Sequence, residues 1–410
     1  MTQRKIPAVY MRGGTSKGLF FHAGVLPAEP ELRDRILLRA IGSPDPYGKH
    51  IDGMGGATSS TSKVVIVSRS ERVDCDVEYR FGQVAIDAPV IDWSGNCGNL
   101  TTAVGPFAIS EGLFSVPREG IAVVRLWQAN IGKRIIAHVP VRDGQVVEEG
   151  DFELDGVTFP AAEIRLEFLD PGGEAGDADG PMFPTGRPVD TLDVPEAGRF
   201  EATLINAGNP TIFVEARALG LSGVELQDEV NSNAALLARC ERIRAQAAVV
   251  MGLSGSAAEA TRQRPHTPKL AFVAPPRDYT ASSGKPVAAS SVDLVSRILS
   301  MGKLHHAMTG TGAVALAAAA AVPGTIVDRA RKGRSNDGRL RFGHPSGTLS
   351  VGAQAEQRGG AWSVTCVTMS RSARRLMEGA ICLPASIAEA RPAPSSLPGS
   401  AIAYGNSLSS

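Results

Sequence analysis

Two segments of this chain are apolar on nearly every side: Gly98–Leu113, "GNLTTAVGPFAISEGL", and Gly310–Gly324, "GTGAVALAAAAAVPG". A helix with no polar face has to be enclosed by protein around its whole circumference. A chain with two of them has to build two enclosures. Each follows or opens on a bare turn of Gly, Asn or Thr, and each lies among β-rich runs, so the chain carries an internal echo of strands, polar turn and buried helix. Many short strands separated by turns suit antiparallel rolls better than a βαβ sheet. The pattern predicts an α+β chain of two pseudo-symmetric β-rolls, each around one central helix. Residues 1–188 would form the first and 189–385 the second, with the chain crossing back near its end.

The clearest strand is "DCDVEYRFGQVAID", Asp74–Asp87, where Cys75, Val77, Tyr79 and Phe81 alternate with Asp76, Glu78 and Arg80. That is the period of a half-buried strand, and Gly82 suggests a hairpin. Further strand runs are Lys63–Ser68, Ile121–Gln128, Arg134–Val141, Glu163–Phe168, Thr211–Ala216, Lys269–Ala274, Leu349–Ala353 and Trp362–Thr368. Helices are expected at Glu31–Ile41, within Val224–Val250 and at Ser291–Leu299. The Gly-, Asp- and Pro-rich stretch Leu169–Asp190 reads as a linker, and residues 386–410 as a mobile tail.

Charge and cysteine usage narrow the function. Lys plus Arg and Asp plus Glu number 42 each, so no net field favours nucleic acid or an anionic membrane. Five cysteines, without a CxxC pair, fit neither a disulfide framework nor a cysteine zinc site. With no signal-like apolar stretch after "MTQRK" and no apolar run of about 18 residues, the chain reads as cytoplasmic with small soluble partners. The seven histidines show no metal-ligand spacing, and His305 and His306 are expected to diverge. No metal is therefore expected, and no GxSxG elbow supports acyl transfer.

The bare turns are where chemistry fits. The first amides of a helix lack intrahelical partners and, with the macrodipole, favour anions. Facing halves would bring the amides around Gly98–Asn99 and Gly310–Gly312 together on a cleft suited to carboxylates. Cys97 stands at such a terminus, either as an activated thiol or as a small buried residue of an ordinary turn. "MRGGTSKG" and "GMGGATSSTSK" offer flexible backbone and hydroxyls, among them Thr15 and Ser16, for a small polyanion, or are solvent turns. Lys63 heads the apolar run "VVIV". It is either a desolvated base or a lysine that snorkels to the surface.

These motifs coincide with a family. "MRGGTSKG", "GSPDPYGKHIDGMGGATSSTSK", "DWSGNCGNLTTAVGPFAI", "WQANIGKRIIAHVP", "ELDGVTFPAAE", "INAGNPTIFV", "SMGKLHHAM" and "RFGHPSGTL" together resemble the 2-methylaconitate cis-trans isomerase (PrpF) family, from about Ile6 to Pro384. The resemblance implies a diaminopimelate epimerase-like fold with the active site between two rolls. It also implies a small unsaturated tricarboxylate substrate, the methylcitrate cycle of propionate catabolism and no cofactor. Lys63 is implied in proton transfer, with Cys97 close to the substrate. Asn209 falls in a Gly-Asn-Pro turn similar to that of the epimerases, whereas Thr309 stands where an epimerase has its second cysteine, which argues against a two-thiol epimerase. Thr15, Ser16, Gly98, Asn99, Asn209, Thr309, Gly310 and Thr311 are the expected substrate contacts. Aconitate or methylitaconate Δ-isomerase and 4-oxalomesaconate tautomerase are the neighbouring chemistries. A non-catalytic accessory to an aconitase-like dehydratase is the alternative of another class. The sequence leaves the oligomeric state open.

Overall fold

A computed structural model describes residues 3–173, 181–333, 337–358 and 361–388. Residues 174–180 of the expected linker, and the tail from 389 onward, lie outside the described residues.

The order of elements repeats. In the first half, Gln3–Gly13 and Ser16–His22 form a hairpin, and Ser16–His22 runs parallel to Lys63–Arg69 after a crossover through the Pro30–Ile41 helix. Lys63–Arg69 then pairs antiparallel with Val77–Val84, which lies parallel to Gly120–Gln128 and is separated from it by the helix Gly98–Ser110. In the second half, Gly198–Ala207 and Asn209–Glu215 form the hairpin, with Ala234–Val250 as the longest crossover helix before Lys269–Ala274. Leu294–Ser300 pairs antiparallel with Lys269–Ala274 and parallel with Arg339–His344, and the helix Gly310–Ala321 lies between those last two strands in sequence.

The chain then crosses back. Ala361–Arg371 pairs with Ile164–Leu169, and Ala373–Pro384 pairs along the full length of Gln3–Gly13. These late strands therefore pair with strands of the first half, and Ala361–Arg371 also pairs with Gly347–Arg358, which continues from the second half. Residues 98–109 and 310–320 of the two central helices are all buried, as their lack of a polar face requires, and both belong to one large apolar core. The helices Pro30–Ile41 and Ala234–Val250 pack separate apolar clusters against the outer sheet surfaces. The result is the mixed α+β architecture expected from the sequence.

The expected strand runs fall on observed strands, and Cys75, Val77, Tyr79 and Phe81 are buried while Asp76, Glu78 and Arg80 between them are not. Three local readings are corrected. Ser291–Leu299 is not a helix: Leu294–Ser300 is a strand with all seven residues buried. It is covered on both faces, so its apolar positions do not alternate, and such a run looks alike for helix and central strand. Gly82 makes no hairpin, because Val77–Val84 continues through it. A Cβ there would sit 2.7 Å from Ile91 Cγ2 and 2.8 Å from Val64 Cγ2, so glycine serves close packing. His305 and His306 do not diverge; outside regular structure their rings stack with centroids 4.6 Å apart. Among the described residues no helix is long and apolar enough to cross a membrane.

Candidate active site

The two central helices meet at their N-termini. Cys97 caps the first, its Sγ accepting from the Leu100 amide at 3.5 Å, and Thr309 caps the second, its Oγ1 accepting from the Gly312 amide at 3.1 Å. A Cβ on Gly98 would lie 2.8 Å from the Gly310 carbonyl carbon. Only two glycines allow the helix starts to approach this closely. Among the described residues the amides of Gly98, Asn99, Gly310 and Thr311 have no acceptor. Four donors thus lie at the positive ends of two helices whose starts touch.

The Cys97 turn is held from both halves. Asn96 Oδ1 accepts from the Cys97 amide at 2.7 Å and from Tyr79 Oη at 3.1 Å. Asn209, from the second half, accepts from the Asn96 amide at 2.8 Å and donates to its carbonyl at 2.9 Å. Its carboxamide therefore clamps the turn that carries Cys97.

Lys63 opens its strand directly opposite Gln83. Its Nζ donates to Gln83 Oε1 at 2.5 Å and lies 4.9 Å from the centre of the Phe81 ring. Gln83 is aimed by its own amide, which donates to the carbonyls of Ser59 and Ser62. At 4% exposure the lysine does not reach the surface. Burial pushes its amine below the ordinary lysine value, and the nearby Cys97 thiol opposes that shift.

Lys269, which sequence reasoning missed as a site residue, heads the equivalent strand of the second half. It is 2% exposed, and its Nζ lies 3.2 Å from Ser300 Oγ and 3.4 Å from His266 Nδ1. Burial, followed by repulsion from Lys63, lowers it to about 7. The signal was present in "KLAFVA", which repeats the "KVVIV" pattern at Lys63. Burial and the two lysines also hold His266 and His305 well below the usual imidazole range.

Thr15 and Ser16 come from the first hairpin. Thr15 Oγ1 accepts from Asn99 Nδ2 at 2.9 Å, while Ser16 Oγ and Asn99 Oδ1 are buried without a partner. Thr15 and Ser16 line a cavity of about 290 Å³ with Arg12, Lys17, His306 and Arg374. Thr311 is buried in the first turn of the second helix. The structure thus brings Thr15, Ser16, Gly98, Asn99, Thr309, Gly310 and Thr311 around the junction of the helix starts, whereas Asn209 lies behind the Cys97 turn and lines a separate cavity of about 490 Å³. The arrangement can hold carboxylates on amides and cations and can move a proton through a buried amine.

A family model described as "PrpF protein" matches residues 3–384. The chain is 61% identical over 389 residues to a 2-methyl-aconitate isomerase of Shewanella oneidensis, covering 93% of this chain and 98% of the relative. A crystal structure of a methylitaconate-delta-isomerase superposes with a TM-score of 0.73 at 38% identity, covering 97% of this chain and all of that one. A hydroxyproline epimerase from Agrobacterium vitis shares the fold at a TM-score of 0.54 and 14% identity, with 93% of each chain covered.

Proposed function

The chain belongs to the PrpF family and is an isomerase, and from that premise we propose that it interconverts the trans and cis forms of 2-methylaconitate in the methylcitrate cycle. The reaction proceeds by removal and return of an allylic proton. Lys63 is the base. As a free amine it takes the proton beside the conjugated carboxylate, and the C–H electron pair passes into a dienolate. The former double bond then rotates as a single bond, and the proton returns from the Lys63 ammonium. The observation that carries this reading is the junction of the two helix starts next to the buried Lys63. The four unbonded amides supply preorganised donors where dienolate charge develops, and the buried amine supplies the proton transfer.

Similarity favours the methylated aconitate as substrate, since the 2-methyl-aconitate isomerase is 61% identical and the methylitaconate enzyme 38%. Incubating the purified protein alone with trans-2-methylaconitate and following the cis isomer by NMR tests the reading. Absence of interconversion would refute it.

The pH profile has a defined sign. Lys63 must lose its proton to act, and burial lowers its pKa from 10.5. kcat/KM therefore rises with pH and levels off below pH 10.5. A profile that falls over that range would place the acting group in its protonated form and remove Lys63 as the base.

Cys97 is the second acid/base or an oriented donor. Thr309 occupies the matching cap in the other half, so no second thiol can complete a two-cysteine cycle. Cys97→Ser keeps an oxygen acceptor at the cap and is expected to reduce kcat by less than the roughly 10²-fold loss that accompanies removal of a general base. Inactive Cys97→Ser beside active Lys63→Met in steady-state assays would exchange the two roles.

A further inference from the structure

Three arginines are buried among the described residues: Arg244, Arg297 and Arg371. Two are bonded by the protein, although Arg297 keeps its Nη2 without a partner. Arg244 donates to the carbonyls of Ala260 and Arg264 and pairs with Glu241. Arg297 donates to the carbonyls of Glu225 and Ser296 and lies over the Tyr279 ring.

Arg371 is different. It is 2% exposed, its Nε has no acceptor, and among the described residues no carboxylate or carbonyl is bonded to its guanidinium. Removing one partner from a buried pair is costly because the remaining charge is uncompensated. Arg371 is in that position with respect to the protein's own groups, and an anion is the partner its charge fits.

Its surroundings indicate which anion. Arg371 ends the Ala361–Arg371 strand, and the next residue, Ser372, accepts from the Gly14 amide at 2.9 Å. A Cβ on Gly14 would lie 3.2 Å from Arg371 Cδ and 2.6 Å from Asn99 Oδ1, so the side chain passes beside the hairpin and the start of the first helix. The guanidinium lies within electrostatic reach of Cys97 and of His344 in the second half. Ser16 Oγ, from the same hairpin, is likewise buried without a partner. A guanidinium beside a helix start with free amides matches a carboxylate, which it can grip through two parallel hydrogen bonds.

We propose that Arg371 anchors one carboxylate of the substrate beside the Cys97 turn. The inference rests on the isomerase reading above, and it adds a cation from a late strand that crosses back into the first half. Arg371 binds and orients; Lys63 moves the proton.

The test compares wild type with Arg371→Met, using propane-1,2,3-tricarboxylate as an unreactive probe in thermal unfolding and 2-methylaconitate in steady-state kinetics. Methionine preserves much of the stem and removes the unpaired charge. Without probe, the variant is expected to melt at the wild-type temperature or above. The probe should raise the melting temperature of wild type and leave that of the variant unchanged. KM should rise about 10- to 100-fold, the scale of a charge-assisted hydrogen bond, with a smaller change in kcat. A probe-induced shift retained in Arg371→Met, or an unchanged KM, would overturn the proposal. So would a large drop in its melting temperature without probe, which would make the guanidinium a support of the fold. Wild type that neither binds the probe nor turns over 2-methylaconitate would instead defeat the isomerase reading itself, and the anchor with it.

Discussion

Lys63→Met is expected to lower kcat by about 10²- to 10⁴-fold, the range for loss of a positioned general base, while the protein remains folded. Methionine keeps an apolar stem against Phe81 and deletes only the titratable nitrogen. Two effects on stability oppose each other. Gln83 Oε1 loses its donor, and a buried acceptor left unsatisfied costs about 1–3 kcal/mol. Removal of the amine also ends the penalty for burying a group whose charge is disfavoured there. The melting temperature should therefore change little, and circular dichroism should be unchanged. Steady-state kinetics with 2-methylaconitate tests the role directly: near-normal kcat in Lys63→Met would remove Lys63 from the proton transfer. A loss of activity accompanied by unfolding would point to Gln83 and its strand pairing instead.

The parts of the fold legible in the sequence are those in which local pattern and burial agree. Cys75 to Phe81 alternate because one face of their strand is buried more than the other, and the two central helices lack a polar face because protein surrounds them. Leu294–Ser300 reads as helix from sequence because a strand buried on both faces loses that alternation. The site divides in a similar way. Lys63 and Cys97 stand in local contexts unusual for their types, a cation opening an apolar strand and a thiol in a glycine-rich turn. Lys269 repeats the first of these contexts, but the internal echo is plainest at the helices and fainter in the strands before them. Arg371 carries no local mark, since "SRSARRLMEG" holds Arg374 and Arg375 nearby. Its burial is fixed by pairing opposite Ile164, some two hundred residues earlier in the chain, and no local periodicity encodes that partner.

Gly310→Ala is expected to disable the enzyme although alanine is the better helix former. A Cβ at Gly310 would clash with the Gly98 carbonyl carbon and lie 2.5 Å from the Asn99 nitrogen. Those are backbone atoms of the opposing helix, which cannot rotate away as a flexible side chain can. Relief requires the helix starts to separate by on the order of 1 Å, at an overpacking cost of about 1–3 kcal/mol. The larger consequence is catalytic. The amides of Gly98, Asn99, Gly310 and Thr311 stabilise a dienolate only while they converge, and a displacement of about 1 Å can cost about 10²-fold in rate. Gly24→Ala is the control, since a Cβ there would have no atom within 4 Å, and its kcat and melting temperature should match wild type. Kinetics and thermal unfolding of both variants test the argument. Wild-type kcat in Gly310→Ala would show that the approach of the two helix starts can relax without loss, and the dienolate would then need another source of stabilisation. A kcat loss near 10²-fold, with a fall in melting temperature that leaves the protein folded at the assay temperature, is the outcome that close packing of the two glycines requires.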